Sequence, residues 1–161
     1  MITSKEYNNA VREYSKNLLR FVNKSLKDDK AAEDIVQDCY MKLWENRNNV
    51  DALKLKSWLF TTAHHHLINY LKRASKFSIN SDFKEPFLPA VSDFDVKLLI
   101  DKSLDQLPQT QKSVLLLRDL EGYNYEEIAE IMQLSISQVK VYLFRGRKKI
   151  KEMLKSVHAV I

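Results

Sequence analysis

The sequence predicts an all-α protein made of two small helical domains joined by a flexible linker. Three observations carry that expectation. Gly122 and Gly146 are the only glycines, and Pro86, Pro89 and Pro108 the only prolines, among 161 residues. That is too few turn formers for a β-sandwich or barrel. Apolar residues recur at helical spacing in 1–76 and again in 96–161, and the period is lost in 77–95. Each domain is then a helical miniature with a small core.

The elements follow in order. Thr3 and Glu6 form a capping box ahead of Tyr7, Val11, Tyr14, Leu18 and Val22. A second helix starts near residue 29, carries Ile35, Val36, Cys39, Tyr40, Leu43 and Trp44, and ends at the polar run Asn46, Arg47, Asn48, Asn49. A third covers about 55–75, with Leu59, Ala63, His66, Leu67, Tyr70 and Leu71 at helical spacing. In the linker, Pro86, Pro89, Ser78, Ser81 and Ser92 break the period. Its Phe77, Phe83, Phe87 and Phe94 suit packing on a neighbouring domain or a partner-binding role. Helix resumes at Val96, Leu98, Leu99, Ile100 and Leu104. Pro108 suits the first position of the next helix, Val114, Leu115 and Leu117 its apolar face, and Gly122 the residue just past its end. Asn124 with Glu127 caps a helix bearing Ile128, Ala129, Ile131 and Met132, and Ser135 with Gln138 starts the last one.

Charge and composition narrow the function. The net charge is +5. Residues 1–80 carry +5 and 96–161 carry +3, while 81–95 carry −3, so two basic blocks flank an acidic segment. Polyanion binding at both ends is the natural reading, with solvated faces as the plain alternative. The glycine scarcity excludes a phosphate-cradling loop. Cys39 is the lone cysteine, so an internal disulfide and a Cys-rich zinc site are excluded. Consecutive helical residues point about 100° apart, so His64, His65 and His66 cannot converge on one ion, and no metal is expected. No apolar run is long enough to span a bilayer and no signal-peptide core is visible, which predicts a cytoplasmic protein.

Residues 125–146, YEEIAEIMQLSISQVKVYLFRG, have helix-turn-helix grammar. Ala129 is small where the two helices should cross, and Gln133 stands where a turn glycine is usual. On the second helix, Val139, Tyr142, Leu143, Gly146, Ile150 and Met153 project to one side. Ser137, Val141, Phe144 and Lys148 project opposite, flanked by Gln138, Lys140, Arg145, Arg147 and Lys151. Residues 138–155 hold seven basic residues and one acidic. Phosphate-neutralising cations beside a few polar or apolar base readers are what a major groove requires. Gly146 costs helix stability, and close packing on the core side would explain it. Asp119, Glu121, Glu126, Glu127 and Glu130 would repel phosphate and are expected to face away from DNA.

At these residues the chain resembles a known family, the extracytoplasmic-function (ECF) sigma factors of the bacterial sigma-70 family. AEDIVQDCYMKLWEN (32–46) resembles sigma region 2.2, and KSWLFTTAHHHLINYLKRASK (56–76) resembles regions 2.3 and 2.4. Residues 104–154, from LDQLPQTQKSVLLLRDL to RGRKKIKEML, resemble regions 4.1 and 4.2. The resemblance covers nearly the whole chain, and the order and spacing of the segments make it specific.

The resemblance implies a promoter-specificity subunit of RNA polymerase, without catalytic residues, cofactor or small-molecule substrate. Its partners would be core polymerase, through the β′ clamp and β flap, and promoter DNA. An anti-sigma factor, in many relatives membrane-anchored, would hold it when idle. Residues 1–76 would bind core polymerase and the −10 element, and residues 96–161 the −35 element. Asp34, Ile35, Gln37 and Asp38 match the polymerase-docking positions. For the single-stranded −10 element the resemblance selects the loop around Asn46, Asn48, Asn49 and Asp51, with Lys54, Lys56, Trp58, Phe60, Lys72 and Arg73 as aromatic surface and cations. Trp58 suits a core position equally well. Many relatives have Arg-Asn at His64-His65, so a neutral imidazole here would remove a phosphate contact. For the −35 duplex it selects Ser137, Gln138, Lys140, Val141, Phe144 and Arg145, with Arg147 and Lys148 near phosphates. Val141 and Tyr142 replace a polar and basic pair common in the family, so a different −35 sequence is expected. The alternative is a helix-turn-helix transcriptional regulator that binds duplex DNA without being a polymerase subunit. It leaves residues 1–76 unexplained, and no dimerisation heptad is visible. A nucleic-acid hydrolase is excluded for want of clustered carboxylates.

Overall fold

A computed structural model describes residues 1–77 and 96–159, and all described secondary structure is helical. The expected linker lies outside the described residues, apart from the backbone of Phe77. The chain divides into two compact units, one built on the helices before the linker and one on those after it.

In the first unit, α1 (Ser4–Leu26), α2 (Asp29–Glu45) and α3 (Leu55–Phe77) pack pairwise against one another. Thr3 begins α1, its hydroxyl accepting the Glu6 N–H at 3.1 Å. No glycine ends this helix. Lys27 takes the left-handed conformation, φ 55°, and its N–H reaches the Asn23 carbonyl. Asp28 then caps α2, accepting the Ala31 N–H at 3.1 Å. Leu18, Phe21 and Val22 of α1, Ile35, Cys39 and Leu43 of α2, and Leu59, Phe60, Ala63 and Leu67 of α3 are buried and form the core. Tyr40 ties it with its hydroxyl, which donates to the Ala10 carbonyl and accepts from Ser15. Burial pushes the Cys39 thiol up to about 12, so it is an inert core residue.

His64 illustrates what burial does to a titratable group. Its ring lies 6.4 Å from the Phe21 ring, and its Nδ1 is buried without a protein partner. Desolvation, reinforced by His65, lowers its pKa from 6.5 to about 4. The unfolded chain therefore takes up a proton between these values that the folded chain refuses. Stability is full above pH 6.5 and falls as pH drops through that window, by about 3 kcal/mol in all. Urea titrations at pH 7 and pH 4.5 should show a steeper loss for wild type than for His64→Gln; equal slopes would refute the assignment.

The second unit begins with α4 (Val96–Asp105) and α5 (Gln109–Leu115). Pro108 is the N-cap, so α5 begins one residue later than the sequence predicts. Lys112 is buried, and its ammonium is paired with Asp105 at 2.8 Å. The chain does not continue as plain α-helix. Leu116–Leu120 winds as a π-turn, with the Glu121 N–H bonded to the Leu116 carbonyl five residues back. Gly122, at φ 74°, closes it, as expected of a residue past a helix end. Helices α6 (Tyr125–Met132) and α7 (Ile136–Ala159) follow. Both capping boxes expected in this unit are reciprocal: Asn124 with Glu127 at 2.8 and 3.2 Å, and Ser135 with Gln138 at 3.0 and 2.9 Å. Gln133 makes the turn with φ 55°. Gly146 faces α5, and a Cβ there would lie 2.5 Å from Leu115 Cδ1, which is the close packing its presence predicts.

Candidate nucleic-acid and partner interfaces

The exposed side of α7 is set by what its other side buries. Val139, Leu143 and Gly146 are buried and Tyr142, Ile150 and Met153 partly so. Ser137, Gln138, Lys140, Val141, Phe144, Arg145, Arg147 and Lys148 are all exposed. Phe144 is a large aromatic at 68% exposure. The face thus combines cations with polar and apolar side chains, the mixture that reads a groove while neutralising its rims.

Two of its cations are held from within the same unit. The Lys140 ammonium sits 5.8 Å from the Tyr125 ring centroid, and the Arg118 guanidinium 4.8 Å from the same ring. Arg147 donates to Asp119 through Nη2 at 2.6 Å and Nε at 3.3 Å. This hydrogen bond raises the Arg147 pKa. Asp119, expected from its charge to face away from DNA, pairs with Arg147 of α7 from within the π-wound stretch.

In the first unit, the expected −10 residues divide. Asn48, Asn49 and Lys54 are exposed around the loop, Lys56 and Trp58 are half-buried, and Lys72 and Arg73 are exposed near the far end of α3. Lys56 and Arg73 are roughly 25 Å apart along the helix axis. Asn46 closes α2, its amide donating to the Lys42 carbonyl at 2.8 Å. Asp51 caps a 3-10 turn, Ala52–Lys54, by accepting the Leu53 N–H at 3.0 Å. Phe60 is a correction: it is 0% exposed and packed 5.7 Å from Phe21, so it cannot stack on a base.

The turn also presents a residue the sequence reading missed. Leu53 is 94% exposed and lines a cavity of about 320 Å³ with Glu6, Asn9, Glu13, Tyr14 and Lys56. A single leucine outside any period gives no signal that it will be held in solvent.

On α2, Asp34, Gln37 and Asp38 form an exposed polar ridge, continued by Met41 one turn on. Ile35 is the second correction. At 6% exposure it belongs to the core, not to the ridge. At the helix end Trp44 is partly exposed, with the Arg47 guanidinium 4.2 Å over its ring and bonded to its carbonyl. Burial keeps His64 neutral at ordinary pH. Among the described residues no His, Cys, Asp and Glu cluster fits a metal ion, and no helix is long and apolar enough to cross a membrane.

Comparison with known proteins extends these observations over most of the chain. Residues 10–77 match the family described as Sigma-70 region 2, and residues 97–150 match Sigma-70, region 4. The ECF RNA polymerase sigma factor SigM of Bacillus subtilis is 28% identical over 146 residues, covering 87% of this chain and 90% of SigM. The RNA polymerase sigma-H factor of Pseudomonas aeruginosa is 25% identical over 161 residues, covering 89% and 83%. Among solved structures, the sigma factor RpoE of Bartonella quintana, crystallised with the anti-sigma factor NepR, superposes with a TM-score of 0.75 at 25% identity, covering 94% of this chain and 98% of that one. CnrH, in complex with the cytosolic domain of CnrY, shares the fold at a TM-score of 0.74 and 17% identity, covering 96% and 90%.

Proposed function

The chain belongs to the sigma-70 family as an ECF sigma factor, a promoter-specificity subunit of bacterial RNA polymerase, and from that premise we propose how its residues divide the work. Residues 96–161 read the −35 duplex with α7. Ser137, Gln138, Lys140, Val141, Phe144 and Arg145 face base edges or the groove wall, with Arg147 and Lys148 near phosphates. Residues 1–76 hold core polymerase and the melted −10 strand. The α2 ridge of Asp34, Gln37 and Asp38 docks on the β′ clamp. The loop with Asn46, Asn48 and Asn49, together with Lys54, Lys56, Trp58, Lys72 and Arg73, receives the single strand. Residues 77–95 join the two, and the β flap receives residues 96–161.

The observation that carries this reading is the one-sided α7: a cationic, aromatic face opposite a buried one, fixed at its start by a reciprocal cap. The polymerase supplies the chemistry, so the chain is not an enzyme, needs no cofactor and works in the cytoplasm beside its polymerase. RpoE of Bartonella quintana was solved with an anti-sigma factor. A comparable partner would cover the α2 ridge and α7 of this chain and exclude polymerase. The test is to load the chain onto core RNA polymerase and assay promoter-dependent transcription. Absence of a stable complex would sink the reading.

Base readout has its own test. Arg145 lies on the groove side of α7 and Lys149 one residue beyond Lys148. Arg145→Ala is expected to cost about 1–3 kcal/mol at one preferred base pair, whereas Lys149→Ala lowers binding evenly across sequences. Binding of holoenzyme to a panel of single-base promoter variants measures both. Equal losses on every variant for both substitutions would refute readout by Arg145.

A further inference from the structure

We propose that Asp119 is a charge restraint on the recognition helix: it cancels Arg147 and thereby lowers the attraction of α7 for DNA phosphates of any sequence. The inference rests on the assignment of α7 as the −35 reader.

The geometry is specific. Asp119 sits in the π-wound stretch Leu116–Leu120. π-turns are rare and concentrate at functional sites. Its neighbour Arg118 has other partners, bonded to the Tyr123 carbonyl at 2.9 Å with its guanidinium 4.8 Å from the Tyr125 ring centroid. Asp119 meets Arg147, 28 residues further on, through two hydrogen bonds of 2.6 and 3.3 Å. This is the two-point pairing that suits a guanidinium and a carboxylate.

The consequence lies outside the core. The two side chains are 46% and 49% exposed, and a surface pair of this kind adds little to folding stability. It does change what DNA meets. Arg147 shares α7 with the exposed cations Arg145, Lys148, Lys149 and Lys151, a set suited to phosphates. Each neutralised phosphate contributes about 0.9 to the slope of log affinity against log salt. A guanidinium already matched by a carboxylate gives up most of that contribution. The pair thus removes about one unit of sequence-independent attraction and leaves the base-facing Gln138, Val141 and Phe144 untouched. A smaller non-specific term raises the ratio by which a promoter outcompetes bulk DNA.

The experiment measures binding of the full-length chain to a random-sequence duplex by fluorescence anisotropy, between about 50 and 200 mM salt. Asp119→Asn is expected to tighten binding about eightfold near 0.1 M salt and to steepen the salt slope by about 0.9. In an Arg147→Gln background the same change should steepen it by much less, because no guanidinium is released. Lys148→Gln, the comparison cation, should flatten the slope by about 0.9. An unchanged slope in Asp119→Asn, or an equal change with and without Arg147, overturns the restraint. Neither result touches the sigma-factor assignment, which fails separately if core polymerase carrying the wild-type chain does not initiate from promoter DNA.

Discussion

Replacing Phe60 with alanine is expected to cost the first unit about 3–5 kcal/mol, enough to unfold a small helical domain at ordinary temperature. Phe60 is fully buried, and its ring meets Phe21 on α1 at 5.7 Å, so the substitution leaves a cavity where α1 and α3 pack. Loss of −10 binding in this variant would then follow from unfolding. Trp58, two residues earlier on α3 and only half-buried, offers the contrast. Trp58→Ala should leave the unit folded and weaken single-strand binding by about 1–3 kcal/mol, the usual worth of a base stacked on an aromatic ring. Circular dichroism melts of the two variants, beside their affinity for a −10 single strand, separate the roles. If Phe60→Ala melts within about 1 kcal/mol of wild type and still loses the single strand, Phe60 is not the core residue described.

The Phe60 case shows how far periodicity reaches. Helical spacing tells which residues share a face, but not how wide the buried stripe is once two other helices pack on it. The family resemblance places Phe60 and Ile35 at interfaces; both lie inside the stripe. Caps fared better because they are local. The boxes at Asn124 and Ser135 involve side chains three residues apart, and both formed with both hydrogen bonds. Gly146 was legible for a similar reason: an unfavourable residue in mid-helix asks for a neighbour, and Leu115 is that neighbour. The π-turn was not legible. Val114, Leu115 and Leu117 read as the apolar face of an ordinary helix ending at Gly122, and nothing local marks the change of winding at Leu116–Leu120. Without that turn in view, Asp119 read as an acid pointing away from DNA. Its partner is 28 residues distant, and no local rule connects them. Leu53 escaped for the opposite reason, since exposure of an apolar residue leaves no pattern at all.

The other large expected effect concerns polymerase docking. Asp38→Lys should weaken binding to core polymerase by about a hundredfold or more, since it sets like charges against each other where complementary ones are needed. Asp38 is exposed, on the ridge with Asp34 and Gln37, so the change removes no core contact. Its effect on the helix itself is small. A lysine at 38 gains an acid four residues earlier, Asp34, and faces Lys42 four residues later, and each such pair is worth about 0.2–0.5 kcal/mol. The variant should therefore keep its melting temperature while losing the polymerase. Ile35→Ala makes the control. At 6% exposure in the core it should destabilise the unit by about 2–5 kcal/mol, and its polymerase binding should recover under conditions that restore folding. Sedimentation of core polymerase with each variant, beside a thermal melt of each, decides the matter. Wild-type affinity in a folded Asp38→Lys chain would remove α2 from the docking surface. Loss of affinity with an unchanged melt would locate docking on the ridge rather than on the apolar strip beneath it.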